Sequence, residues 1–134
     1  MTPNTQALQR LLDAVEAGET PNDDLIIAAL GHRRIAGGWY VPRLVKWIMD
    51  PADIRAMGAA KALHEALLPG WAIERMSWWP GGHWTFHLWG TGDPDHNGDR
   101  WHTHTDGRVE ASDTDPARAW LLAIIRAVMA GEWA

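Results

Sequence analysis

The chain has 134 residues, enough for one hydrophobic core and too few for two, so we expect a single domain over residues 1–134. Hydrophobic residues make up 46% and charged residues 22%, which is ordinary globular usage and excludes disordered, collagen-like and coiled-coil chains. The formal net charge of −5 opposes general attraction to nucleic acid or anionic lipid, and the absence of Cys excludes disulfide frameworks and thiolate metal sites.

One number is unusual. Ten Trp accompany a single Tyr and a single Phe, and an indole carries a large apolar area with one N–H donor that needs a partner when buried. The positions of these indoles therefore shape the reading of the chain.

Leu8, Leu11, Leu12 and Val15 recur at helical spacing and predict a helix over residues 5–17, stopped at Gly18. Thr20-Pro21-Asn22-Asp23 then reads as the start of a short second helix ending near Gly31. Residues 31–49 hold four basic residues and no acid, and Gly37-Gly38 and Pro42 interrupt the helical pattern. We expect a loop there, with a short extended piece at Trp39 to Val41. Asp50-Pro51-Ala52-Asp53 signals another helix start, and Ile54, Met57, Lys61, Leu63 and Leu67 carry that helix to about Leu68, where Pro69-Gly70 stops it.

Beyond Gly70 the period changes from about 3.6 to about 2. Trp71–Trp79, His83–Trp89, Arg100–Thr105 and Arg108–Ala111 read as strands, with Pro80-Gly81-Gly82, Asn97-Gly98 and Asp106-Gly107 as turns. Such short connections predict a four-stranded antiparallel meander. In its second strand Trp84, Phe86 and Leu88 share one face while His83, Thr85, His87 and Trp89 share the other. Ser112-Asp113-Thr114-Asp115-Pro116 opens a final helix, whose Trp120, Leu121, Ile124, Ile125 and Val128 form an apolar stripe suited to packing on the sheet. The predicted class is α+β: a four-stranded meander packed with N-terminal helices and a C-terminal helix, an α-β-α sandwich. The longest apolar stretch, Ala119 to Ala130, is interrupted by Arg126 and falls short of the roughly 20 residues a membrane span needs. With no basic start followed by an apolar run, the sequence predicts a soluble chain of the cytoplasm, without membrane attachment.

Two constellations could carry function. His102 and His104 form an HxH pair on one strand face, and His83 or His87 on a neighbouring strand could add a third nitrogen, the number a catalytic zinc needs. Open strand faces also collect histidine without any metal. Asp93 to Asp99 resembles half a calcium loop, but the twelfth position is His104 where Glu belongs, and turn geometry explains the same residues. Ser77 and Ser112 lie outside any GxSxG turn and no glycine-rich phosphate loop occurs, so no catalytic residue is assigned. The second constellation is the basic segment, where Arg33, Arg34, Trp39, Tyr40, Arg43, Lys46 and Trp47 combine cations with aromatics. That mixture is enriched in protein interface hot spots and also suits single-stranded nucleic acid. The plainest alternative is a loop pinned to the core by its indoles.

The stretch Ala59 to Trp71, AAKALHEALLPGW, and the stretch Asp115 to Ile124, DPARAWLLAI, resemble the phage ABA sandwich family of small phage and prophage proteins. The likeness covers most of residues 5–130. It departs at residues 31–58, which are longer and more basic, and at the missing Ser or Thr cap before Ala59. The resemblance implies a phage-encoded accessory protein in the cytoplasm of a bacterial host, with no catalytic residues to carry over. The leading expectation is a non-enzymatic module that binds a host or phage protein, inhibition of a bacterial defence system being one form of such action. A zinc-dependent hydrolase using His83, His87, His102 and His104, and single-strand nucleic-acid binding by the basic segment, are the alternatives. Six indoles from Trp71 to Trp101 are assigned to packing in the meander, Trp120 to the closing helix and Trp133 to the tail, leaving Trp39 and Trp47 as the functional pair.

Overall fold

The computed structural model describes residues 3–90 and 108–132. Helices α1 (Pro3–Glu16) and α2 (Asp23–Leu30) open the chain. Leu8, Leu11, Leu12 and Val15 are all buried, and α1 ends where Gly18 adopts φ +77°, the left-handed geometry that glycine reaches without steric cost. At the start of α2 the Asn22 side chain accepts from the Leu25 amide at 2.8 Å, while Asp23 and Asp24 occupy the first turn near the positive end of the helix dipole.

The basic segment is more ordered than its sequence predicts. Strands β1 (Arg34–Ile35) and β2 (Trp39–Tyr40) pair antiparallel across a 3₁₀ turn at Ala36–Gly38, and helix α3 (Val41–Met49) follows at once. Gly37-Gly38 breaks the chain only to turn this hairpin. Pro42 sits in the first turn of α3, where its missing N–H removes no helical hydrogen bond, so it starts the helix and does not interrupt it. Val41, Leu44, Val45, Ile48 and Met49 are buried, and Arg43 and Lys46 lie on the opposite face.

Helix α4 (Ala56–Leu67) starts later than expected. Asp50 and Asp53 cap turns in front of it, accepting from the amides of Ala52 and Arg55 at 3.0 and 2.8 Å, which leaves Ile54 97% exposed. Three strands make the larger sheet: β3 (Trp71–Trp79), β4 (His83–Gly90) and β5 (Arg108–Asp113), antiparallel in the order β3-β4-β5. The neighbour of β4 is β5 itself, with Phe86 opposite Ala111, where the predicted meander has another strand between them. Residues 100–105 and the Asn97-Gly98 turn lie outside the described residues. A bulge between Ile73 and Arg75 interrupts the β3–β4 ladder.

Helix α5 (Pro116–Glu132) organises the core. Seven consecutive residues, Ala119 to Ile125, are buried, so this helix is enclosed on every side and not merely along a stripe. Its Trp120 ring stacks on Phe86 of β4, with centroids 5.2 Å apart and planes at 12°. The other side of α5 meets α1, α3 and α4. The layers therefore run from the sheet through α5 to the remaining helices, and the architecture is mixed α+β. Within the core, His64 of α4 accepts from Trp120 Nε1 at 3.1 Å through Nδ1 and donates from Nε2 to the Trp71 carbonyl at 2.9 Å, tying α4, α5 and the start of β3 together. No helix among the described residues is long and apolar enough to cross a membrane.

Candidate functional site

The hairpin and α3 bring most of the basic segment into one patch. Trp39 on β2 meets Trp47 on α3 edge to face, with ring centroids 5.0 Å apart, and Trp47 in turn packs against the core. The Arg55 guanidinium lies 4.1 Å over the Trp47 ring, a distance at which the ring quadrupole attracts a cation. Beside this pair, Arg34 lies 4.9 Å over Tyr40, and His32 packs against the same ring at 4.5 Å. Trp39 and Tyr40 nevertheless remain 47% and 40% exposed. A hollow of about 420 Å³ opens next to them, lined in part by Ile27, His32, Trp39, Tyr40 and Arg43.

The remaining candidates of this segment have structural duties. Lys46 bridges to Asp23 at 2.7 Å, joining α3 to α2, and Arg33 donates to the Ala66 carbonyl at 3.0 Å, joining the hairpin to the end of α4. Arg55 and His32 belong to the patch although the sequence singles out neither. Arg55 is recruited by Asp53, two residues away, through Nε and Nη2 hydrogen bonds of 2.9 Å each. The same guanidinium holds the Asp53 carboxyl below its usual range.

The histidines are placed differently. His83 and His87 both lie on the outer face of β4, the side away from α5, yet four residues of extended strand separate them by about 13 Å. His83 stacks on Trp79 with centroids 6.0 Å apart. His87 stands between charges: Nδ1 faces Glu110 Oε2 at 3.3 Å and Nε2 accepts from Arg75 Nη2 at 3.4 Å. A metal at that nitrogen would have to displace a guanidinium. His102 and His104 lie outside the described residues, and among the described residues no group of three or more His, Asp or Glu is arranged to hold a metal ion.

A second exposed surface corrects the assignment of the strand indoles to packing. Trp78 and Trp79 are 57% and 45% exposed, and Ile73 and Met76 on the same strand are equally open. For Ile73, Met76 and Trp78 on the inner face the reason is lateral position, since α5 packs on β4 and β5 while β3 extends beyond it; Trp79 lies opposite His83 on the outer face, away from α5. Trp79 donates from Nε1 to Thr85 Oγ1 at 2.9 Å, and that hydroxyl bonds Ser112 Oγ at 2.6 Å, so this polar row serves the sheet. Comparison of the chain with family models, curated proteins and solved structures finds no match. The functional reading therefore rests on the chemistry of these surfaces.

Proposed function

We propose that the chain is a non-enzymatic protein-binding module whose docking surface is the Trp39, Tyr40, Arg34, Arg43 patch. The observation that carries this reading is the support behind Trp39: a half-exposed indole on a paired strand, backed edge-on by a second indole that packs into the core. A ring held in this way has little freedom left to lose on binding, and Trp, Tyr and Arg supply most of the energy in protein interfaces. The cations favour a protein partner over single-stranded nucleic acid. Arg34 and Arg55 already occupy the ring faces of Tyr40 and Trp47 on which bases would stack.

The resemblance of Ala59–Trp71 and Asp115–Ile124 to the phage ABA sandwich family supports a phage accessory protein acting in the cytoplasm of a bacterial host. We place its target among host or phage proteins, with inhibition of a defence system as the mode of action. The test is capture from infected-cell lysate by the wild type and by a Trp39→Ala, Tyr40→Ala double variant whose circular dichroism is unchanged. The double variant should lose the partner. Equal capture by both proteins would remove the patch from consideration.

A further inference from the structure

Among the described residues, strand β3 has a free side. In the order β3-β4-β5 its second edge pairs with no strand among the described residues. Beyond Trp71, whose amide donates to the Leu68 carbonyl and whose carbonyl accepts from His64, the outward backbone N–H and C=O groups of this nine-residue strand are a template for another strand. The sequence of this edge is complementary to its own reverse. Read outward from the middle, Glu74-Ile73-Ala72-Trp71 answers Arg75-Met76-Ser77-Trp78 as acid to base, apolar to apolar, small to small and aromatic to aromatic.

Such a register normally fails on geometry. Two identical strands paired about a two-fold axis normal to the sheet must oppose residues that point to the same face, whereas neighbours such as Glu74 and Arg75 ordinarily point to opposite faces. The bulge removes the conflict. It sets Glu74 and Arg75 together opposite His87, and both leave on the outer face, as Glu74 reaching Arg108 and Arg75 reaching His87 confirm. The other pairs then agree as well. Ile73 and Met76 stand opposite Leu88 and Phe86 on the inner face, Ala72 and Ser77 opposite Trp89 and Thr85 on the outer face, and Trp71 and Trp78 opposite Gly90 and Trp84 on the inner face.

We propose that two copies of this chain join β3 to β3 antiparallel about an axis between Glu74 and Arg75, making a continuous six-stranded sheet. Two Glu74–Arg75 ion pairs flank the axis on the outer face. On the inner face Ile73 meets Met76 and Trp71 meets Trp78, covering the apolar row that α5 leaves open. Each charge is only loosely engaged within its own chain, Glu74 at 3.7 Å from Arg108 and Arg75 at 3.4 Å from His87, so each is free to turn to the second copy. This surface is separate from the Trp39 patch and does not depend on the binding role proposed for it.

Sedimentation equilibrium over a concentration series tests the proposal, with circular dichroism reporting the fold. Wild type should dimerise. Glu74→Arg alone and Arg75→Glu alone each set like charges across the axis twice, and should weaken the dimer by about tenfold to a hundredfold. An equal mixture of the two variants restores both ion pairs and should form a heterodimer, and the E74R/R75E double variant should dimerise with itself. If either charge variant fails to fold, Ile73→Cys mixed with Met76→Cys reads the same register in a chain with no other Cys, because directly opposed Cβ atoms lie within disulfide reach. Oxidation should link the mixed pair. A wild type that stays monomeric, a dimer indifferent to both charge reversals, or a mixed cysteine pair that does not cross-link overturns the proposal.

Discussion

The hairpin patch and strand β3 expose aromatic side chains to a similar degree, yet they differ in what stands behind each ring. Trp39 leans on Trp47, Tyr40 is flanked by Arg34 and His32, and the whole patch is built from residues 32–55. On β3, the open side chains Ile73, Met76 and Trp78 extend past the helix that covers the neighbouring strands, and the strand's own edge is free among the described residues. Exposure alone does not distinguish the two surfaces, and support does. A ring braced by its own chain is prepared to meet a side chain of a partner, whereas an apolar row along an open strand is suited to a partner that brings backbone as well.

Four changes would break or sharpen this contrast. The largest effect is expected for Trp47→Ala, which removes the indole linking the patch to the core. It should cost about 3 kcal/mol in urea unfolding and abolish partner capture, while leaving association through β3 intact. Next is Gly90→Ala, whose new Cβ would lie 2.9 Å from two ring atoms of Trp71 and force that ring aside. A loss of about 1–3 kcal/mol should accompany weaker dimerisation, with capture through Trp39 unchanged. Trp39→Ala should cost only about 1 kcal/mol, the worth of one edge-to-face aromatic pair, so a much larger loss on unfolding would return this indole to the core. The smallest effect concerns Asp53, which Arg55 holds below the ordinary value of 3.8. Because the folded state lowers this carboxyl, any stabilisation from the pair is present above the ordinary value and disappears as the pH falls through the lowered one. In Arg55→Met, carboxyl NMR should find Asp53 titrating higher than in the wild type yet still below 3.8, because the amide of residue 55 goes on donating to it.

Much of this fold is legible in residue spacing. The stripe Leu8, Leu11, Leu12, Val15 marks α1, the alternation Phe86, Leu88 marks the inner face of β4, and the cap at Asp115, which accepts from the Arg118 amide at 2.9 Å, marks the start of α5. Helix α3 escapes such reading because Pro42 and Gly37-Gly38 signal a break without stating on which side the helix resumes. Strand order escapes it too. Alternation assigns a residue to one of two faces, but whether that face is covered depends on lateral position in the sheet, and so Trp78 is open where Phe86, on the same face, is closed. His64 illustrates a third gap, since its spacing gives no sign that it joins Trp120 to the Trp71 carbonyl. Of the candidate site, the sequence supplies Arg34, Trp39, Tyr40, Arg43 and Trp47. Arg55 and His32 enter only through contacts made in three dimensions.

The enclosed position of α5 also bears on how the chain reaches its native state. The helix is synthesised after every element it packs against, and Arg126 closes an ion pair with Glu16 across 110 positions of sequence. Until α5 emerges, the inner face of the sheet and the facing sides of α1, α3 and α4 have nothing to bury against. Contacts of such long range delay folding and leave apolar surface open to aggregation in the interval. A ribosome-bound chain ending before Pro116 should therefore be protease-sensitive throughout, and resistance should arrive in one step as α5 is added.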